Sequence, residues 1–307
     1  MSASIYGRYA GAAGPADNDT RPALLRDHPL VGKTWETTSA RFVSRDALVD
    51  NLTRASVRLF GEVHDNPDHH AIQARLLEAI AAGGLKPVVA FEQMDREHDA
   101  ALQQRLADGN VAPDDVAQAV TFDRKGWNWA FYQPLVAIAL RHGLPLRAAN
   151  LSRKAASQIA REGLSAIGPA RIEALRLEAA WTPAREQALR EIIRDGHCGA
   201  LPEAVVPAMG AAQRARDATL AESLLAPNRD GAILIAGNGH VRRDLGVPVY
   251  LAAAGTSSCA VGILEVEAGQ HDPQAYVQAA TSGAALYDFV CFTARQDRPD
   301  PCAAFRK

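Results

Sequence analysis

Val57-Arg58-Leu59-Phe60-Gly61-Glu62-Val63-His64-Asp65-Asn66-Pro67 is the stretch on which the reading of this chain turns. Its short apolar run predicts a strand. Gly61 gives the backbone freedom to turn where a side chain would clash. Asn66-Pro67 is the favoured pairing of helix cap and first helical residue. Ile72, Leu76, Leu77 and Ile80 then recur at helical spacing, which predicts one apolar face. Gly83-Gly84 stops that helix. A second strand follows over Pro87-Val88-Val89-Ala90-Phe91 and ends at Glu92. Strand, helix and strand in this order define a unit of a parallel sheet.

The same alternation extends outward. Residues 144–149 predict a strand ending at Asn150, and 231–236 one ending in Gly237-Asn238-Gly239-His240. The segments 247–252, 261–266 and 286–292 read as later strands. Helices are expected near 44–51, over 100–106 and 114–120, and over 134–141 with Gly143 as the stop. Residues 152–226 are almost wholly helical, with Thr182-Pro183 as a second cap pair. Continuously apolar strands belong to a sheet covered on both faces. The expected fold is therefore α/β: a mostly parallel central sheet flanked by helices, in one domain over 30–307. Residues 151–226 form a helical insertion or cap, and 1–29 a flexible N-terminal arm.

Composition narrows the function classes. Of 307 residues, 48% are apolar and 22% charged, and the net charge is −2. That balance leaves no basic excess for nucleic-acid binding as the main task. No stretch approaches the roughly 18 apolar residues of a membrane-spanning helix. Residues 1–26 carry no basic start followed by an apolar segment, so the expectation is either a protein that stays inside or a trimmed, mature form. The four cysteines (198, 259, 291 and 302) have no metal-type spacing. Their number permits two disulfides, and buried free thiols are the simpler expectation.

In open α/β sheets ligands sit beyond the carboxyl ends of the strands. The polar residues at those ends are Glu62 and His64, then Glu92, then Asn150, then Asn238 and His240. Two Gly-x-x-His segments, each directly after an apolar strand, exceed what turn chemistry requires. Carboxylate and neutral imidazole together suit Zn, Mn or Fe, or general acid–base work. His69 and His70 fall in the first turn of a helix, whose dipole disfavours a charged imidazole. The simpler readings are a buried Glu62–His64 pair, Glu92 paired with Arg96 or Lys125, and one of the adjacent histidines serving only as a surface or capping residue. An aromatic cluster, Trp127, Trp129, Phe131 and Tyr132, reads as core or as a flat wall for a planar ligand. In the second case Tyr132 is an oxygen donor able to ligate ferric iron. Met209, Gln213 and Arg216 share one helix face that could touch a ligand. His-Glu-x-x-His, a Gly-x-Ser-x-Gly elbow and a phosphate-binding loop are absent.

Taken together, these motifs resemble the ChaN family of haem-binding bacterial proteins. The resemblance rests on Gly61-Glu62-Val63-His64-Asp65-Asn66 with His69-His70, Phe91-Glu92-Gln93-Met94, Trp127 through Pro134, and Ala149-Asn150-Leu151. It continues through His197-Cys198-Gly199, Gln213 with Asp217, Gly237 through Arg242, and Asp300-Pro301-Cys302. It spans roughly residues 30–302. It implies an α/β fold, haem binding linked to bacterial iron acquisition, a periplasmic or envelope location, usually as a lipoprotein, and a possible homodimer sharing haem. The chain departs from that pattern in lacking a visible signal segment and a lipid-acceptor cysteine near residue 1. The wider group, which includes the Tiki and TraB proteins and the erythromycin esterases, is similar in its paired Gly-x-x-His motifs and strand-end glutamate.

Two functions follow as expectations. The first is haem binding, with Tyr132, Met209, His69 and Trp129 as contacts and Tyr132 as iron ligand, rivalled by Tyr250 and Tyr287. The second is a metal-dependent hydrolase. His64, Glu92 and His240 would hold Mn, Co or Zn, with Glu62 activating water. A scaffold with a vestigial site is the remaining possibility.

Overall fold

A computed structural model describes residues 23–226, 228–278, 285–300 and 302–303. In chain order it forms β1 (Ala23–Leu24), β2 (Thr34–Glu36), β3 (Arg41–Val43), α1 (Arg45–Arg54), β4 (Val57–Phe60), α2 (Pro67–Ala82) and β5 (Val88–Asp95). Next come α3 (Asp99–Ala107), α4 (Pro113–Ala119), α5 (Trp129–His142), β6 (Leu146–Asn150), α6 (Arg153–Glu162), α7 (Pro169–Ala174), α8 (Pro183–Gly196) and α9 (Val206–Leu224). Last are β7 (Ala232–Ile235), α10 (Val247–Ala253), β8 (Ser258–Glu265), β9 (Phe289–Thr293) and β10 (Arg295–Gln296).

Eight strands make the main sheet in the order β3-β2-β9-β8-β4-β7-β5-β6. The pairings from β9 to β6 are parallel, while β2 joins β9 and β3 in antiparallel fashion. The α/β class is thus observed. Alternation along the strands sends Phe60, Phe91, Ile235 and Val261 to one face, against α1, α2 and α5. Leu59, Ala90, Leu234 and Ala260 go to the other, against α9 and α10. Both faces are buried, which is why the strands read as continuous apolar runs.

One topological step positions everything that follows. The chain leaves β4, builds β5 and β6, passes through helices α6–α9, and returns as β7 between β4 and β5. The two Gly-x-x-His segments therefore emerge from neighbouring strands, and Glu92 from the next one along.

The structure corrects several local expectations. Residues 247–252 are helical, in α10. An apolar run of that length suits a buried strand or a buried helix equally, and Pro248 in the first turn favours the helix. The hairpin β2–β3 has no periodic signature. The helix expected over 134–141 starts at Trp129, because Asn128 caps it by accepting from the Ala130 amide. Its aromatic residues are thus its first turn. Of the N-terminal arm, residues 1–22 lie outside the described residues, while β1 pairs with β10. Cys198 and Cys302 form a disulfide, correcting the expectation of free thiols, because the chain brings their Cα atoms to 5.7 Å, within bridging range. Cys259 and Cys291 are buried and free.

Candidate functional site

The loop after β4 carries the first half of the site. A Cβ on Gly61 would come within 2.1 Å of Asn238 Oδ1, so only glycine fits where the two loops cross. Asn238 works as a false strand residue: its Nδ2 donates to the Ile263 carbonyl (2.7 Å) and its Oδ1 accepts from the Ile263 amide (3.0 Å). Asn66 caps α2 by accepting from the Asp68 amide at 2.9 Å.

Glu62 is the hub of this half, and it is 2% exposed. Its Oε1 accepts from His64 Nδ1 (2.7 Å), the Tyr132 hydroxyl (2.6 Å) and Gln93 Nε2 (3.1 Å); its Oε2 accepts from Gln73 Nε2 at 2.9 Å. His70 Nε2 donates to the His64 carbonyl at 3.1 Å and its ring stacks on Phe131. His64 itself is the exception in a buried group, with 36% of its side chain exposed. Trp127 stands edge-on to it at 4.7 Å between ring centres. With Nδ1 held by Glu62, Nε2 has no hydrogen-bond partner among the described residues.

The second half belongs to β5, β7 and α9. The β5–β6 register becomes irregular beyond Phe91, where Glu92 meets the loop after β7. Glu92 Oε2 accepts from the Gly237 amide at 2.7 Å, and Oε1 lies 3.2 Å from His240 Nε2. The other ring nitrogen, Nδ1, is 2.5 Å from Asp217 Oδ1. His240 is thus gripped at both nitrogens. The halves meet over Gly237: a Cβ there would lie 3.0 Å from His64 Nε2 and 3.5 Å from Glu92 Oε2.

Electrostatics follow from this packing. Burial alone would raise the Glu62 carboxyl, but the charges of His70 and His64 and the Tyr132 hydroxyl bring it down to about 2. Glu92 is likewise held well below the carboxylate range, against burial, by His240, His64 and the Gly237 amide. Burial works against a charged His64, yet Glu92 and Glu62 outweigh it and raise the imidazole. His240 is raised much further by Glu92 and Asp217. Asp217 is raised too, because burial outweighs its imidazole partner. His69 is the opposite case: burial drives it well below its ordinary value.

The structure brings Glu62, His64, Glu92 and His240 together. It places the other expected contacts elsewhere. Tyr132 is fully buried and spends its hydroxyl on Glu62. Tyr250 and Tyr287 are also buried. His69 accepts from the Val63 amide at Nδ1 and bonds Thr293 Oγ1 through Nε2, both at 2.8 Å; its role is to pin the loop. Trp129 donates to Asp114 at 2.9 Å and packs on Phe122. Met209 lies half-buried beside Leu189, Ile193 and Leu245. Among the described residues no group of three His, Cys, Asp or Glu side chains is placed to hold a metal ion. Within the His64, Glu92 and His240 set, His240 has both ring nitrogens engaged, Nε2 by Glu92 and Nδ1 by Asp217. Asp217, Gln73 and Gln93 complete the network without having been expected as site residues. Asp217 left a signal, four residues after Gln213 on one helix face, and Gln93 stands beside Glu92 in the Phe91-Glu92-Gln93-Met94 motif.

Comparison with known proteins adds a family. A family model described as haem-binding uptake, Tiki superfamily, ChaN matches residues 48–251. No protein among those with curated functions matches. Among solved structures, ChaN of Campylobacter jejuni, described for cofacial haem binding, superposes with a TM-score of 0.65 at 20% identity, over 84% of this chain and 95% of that one. A Bacillus cereus protein (TM-score 0.40, 10% identity, 73% and 70% coverage) and a mutant erythromycin esterase, EreC, in its open conformation (TM-score 0.40, 13% identity, 83% and 80%) share a looser outline.

Proposed function

The chain belongs to the ChaN family of haem-binding uptake proteins in the Tiki superfamily, and from that premise we propose that it binds haem as cargo, with His64 as the side chain that meets the iron. The observation that carries this reading is the half-exposed His64 imidazole. Its Nδ1–H is fixed by a buried carboxylate and its Nε2 is left unpartnered beside the Trp127 ring. A carboxylate behind an imidazole sets its tautomer and raises the basicity of the outer nitrogen, and imidazole is a common axial ligand of haem iron. Trp127 supplies the flat apolar neighbour a macrocycle needs. A tyrosinate ligand finds no support among the described tyrosines. Tyr132, Tyr250 and Tyr287 are buried, and the half-buried Tyr276 uses its hydroxyl on the Gln270 carbonyl and the Glu267 amide.

We place the protein in the periplasm or cell envelope. The family's link to uptake supports this, and so does the Cys198–Cys302 disulfide, since such bonds persist in oxidising compartments. Among the described residues no helix is long and apolar enough to cross a membrane. The cofacial haem binding described for the Campylobacter jejuni protein supports a homodimer in which two copies bring their haems face to face.

The test is a haem titration followed in the Soret region. The expected result is saturable binding, weakened by His64→Ala about tenfold or more, in the range for loss of a metal contact or its support, with a changed Soret spectrum. Saturable binding with an unaltered spectrum in His64→Ala would remove His64 from the iron. No saturable binding in the parent protein would remove the haem reading itself.

A further inference from the structure

The last described stretches, residues 293–300 and 302–303, reach the His64 loop and the helical insertion. Thr293 Oγ1 bonds His69, and the Ala294 carbonyl accepts from Asn66 Nδ2 at 3.2 Å. Arg298 then reaches back to the His64 loop. Its Nε lies 2.8 Å from both carboxylate oxygens of Asp65, the residue next to His64. Its other two nitrogens form a fork on Glu265 at the end of β8, at 2.6 and 2.7 Å. Glu265 in turn accepts from Asn66 Nδ2 at 2.7 Å. Four residues beyond Arg298, Cys302 is bonded to Cys198, just after α8 in the helical insertion. One short piece of chain thus ties together the β4 loop, the end of β8 and the insertion.

We propose that this C-terminal segment is a strap that holds the β4 loop so that His64 keeps Nε2 turned outward, with Arg298 the positioning residue and Cys198–Cys302 the latch onto the insertion. The proposal rests on the reading of His64 as the haem contact. The physics is specific to arginine. Only 16% of the Arg298 side chain is exposed, and its planar donor set answers two carboxylates at once, which a point charge cannot do. Asp65 and Glu265 both approach this one guanidinium, and without it their like charges would repel across the loop. From the α2 side, His69 and His70 hold Val63 and the His64 carbonyl. The strap opposes them. Loss of the latch leaves the Arg298 contacts in place but frees the far end of the segment, so its effect should have the same direction and be smaller.

The experiment uses the full chain with Arg298→Ala, Arg298→Lys, Asp65→Asn and the double variant Cys198→Ser/Cys302→Ser. Two quantities are read: haem affinity with its Soret spectrum, and the titration midpoint of His64 in haem-free protein by nitrogen-15 NMR. Arg298→Ala is expected to weaken haem binding about tenfold, as loss of an outer support does, and to move the His64 midpoint back toward that of free histidine as the imidazole drifts from Glu62 and Glu92. Arg298→Lys should restore part of both, and the double cysteine variant should shift both slightly. If Arg298→Ala does not fold, Asp65→Asn, which cuts the strap at the loop while Glu265 keeps the guanidinium, serves in its place. A lowered melting temperature with the His64 midpoint and haem affinity both unchanged would overturn the proposal, leaving Arg298 a purely structural ion pair. If the parent protein binds no haem, the NMR midpoint still tests the strap, and that failure falls on the haem reading alone.

Discussion

His64 and His240 occupy matching positions in two Gly-x-x-His segments on adjacent strands, yet they end in opposite states. His64 keeps one carboxylate neighbour at Nδ1 and turns Nε2 outward; His240 is 5% exposed and closed at both nitrogens by Glu92 and Asp217. The difference comes from what covers each loop. Above His240 lies α9, which contributes Asp217. Beside His64 stands Trp127, in the turn that precedes α5. A motif therefore fixes where an imidazole emerges, and the neighbouring helix decides whether it is a contact point or an internal charge. In this chain the closed half acts as a rigid charged base, and Gly237 allows the open half to rest upon it.

The sharpest way to break this contrast is to cut the closed half. Glu92→Ala leaves His240 charged, buried and balanced only by a carboxylate whose own ionisation is disfavoured. Removing one partner of a buried pair costs about 3–5 kcal/mol, and denaturant unfolding should show a loss of that size. A loss below about 1 kcal/mol, the scale of a surface pair, would mean the closed half is not the rigid base. Next in size is the latch. A bond closing a 104-residue separation restricts the unfolded chain by about 4–5 kcal/mol in the entropic account, and native disulfides measure about 2–5 kcal/mol. Cys302→Ser should fall in that measured range in a thermal or urea melt.

Much of this arrangement was legible in the sequence, for local reasons. Asn66-Pro67 and Thr182-Pro183 start α2 and α8 where capping chemistry demands. Apolar runs marked β4, β5 and β7, the first and last with Gly ends, and strand-end polarity marked Glu62, His64, Glu92 and His240. What could not be read from the sequence depended on tertiary contact. Tyr132 reads as a ligand beside Trp127, but a helix's first turn has an inner and an outer side, and only the packing of α5 on α2 shows that Tyr132 faces in. Asp217 sits on α9, whose residues from Arg214 to Leu220 are buried on every side, so no stripe marks the face that meets His240. The cysteine pairing joins segments that only the fold brings together.

Smaller effects sharpen the contrast further. Tyr132→Phe removes one donor from Glu62 while His64, Gln93 and Gln73 remain. A hydrogen bond to a charged group contributes about 1.5–3 kcal/mol, and the low end is expected here because three donors persist. Calorimetry should show that loss, and the haem titration should show affinity little changed, since the buried hydroxyl is spent on Glu62. A large loss of haem affinity with stability intact would return Tyr132 to the role of ligand.

The last contrast is in pH, where two classes of buried histidine pull in opposite directions. His69 and His70 are lowered below 6.5 by burial. The unfolded chain takes up their protons first, so the stability they contribute is present above pH 6.5 and is lost as pH falls through their folded values. Glu62, lowered from 4.5 to about 2, adds a second acid loss between those two values. His64 and His240 are raised; their contribution is complete below pH 6.5 and is lost as pH rises through their folded values. Stability should therefore peak near pH 6.5 and fall on both sides, each pKa unit of difference being worth about 1.4 kcal/mol. The alkaline limb belongs mainly to the closed half, because His240 is the more strongly raised of the two. His240→Gln, though less stable throughout, should have a visibly flatter curve above pH 6.5 in urea melts and an unchanged acid limb. An alkaline limb as steep as the parent's would assign that charge to His64, and the closed half would then hold a neutral imidazole.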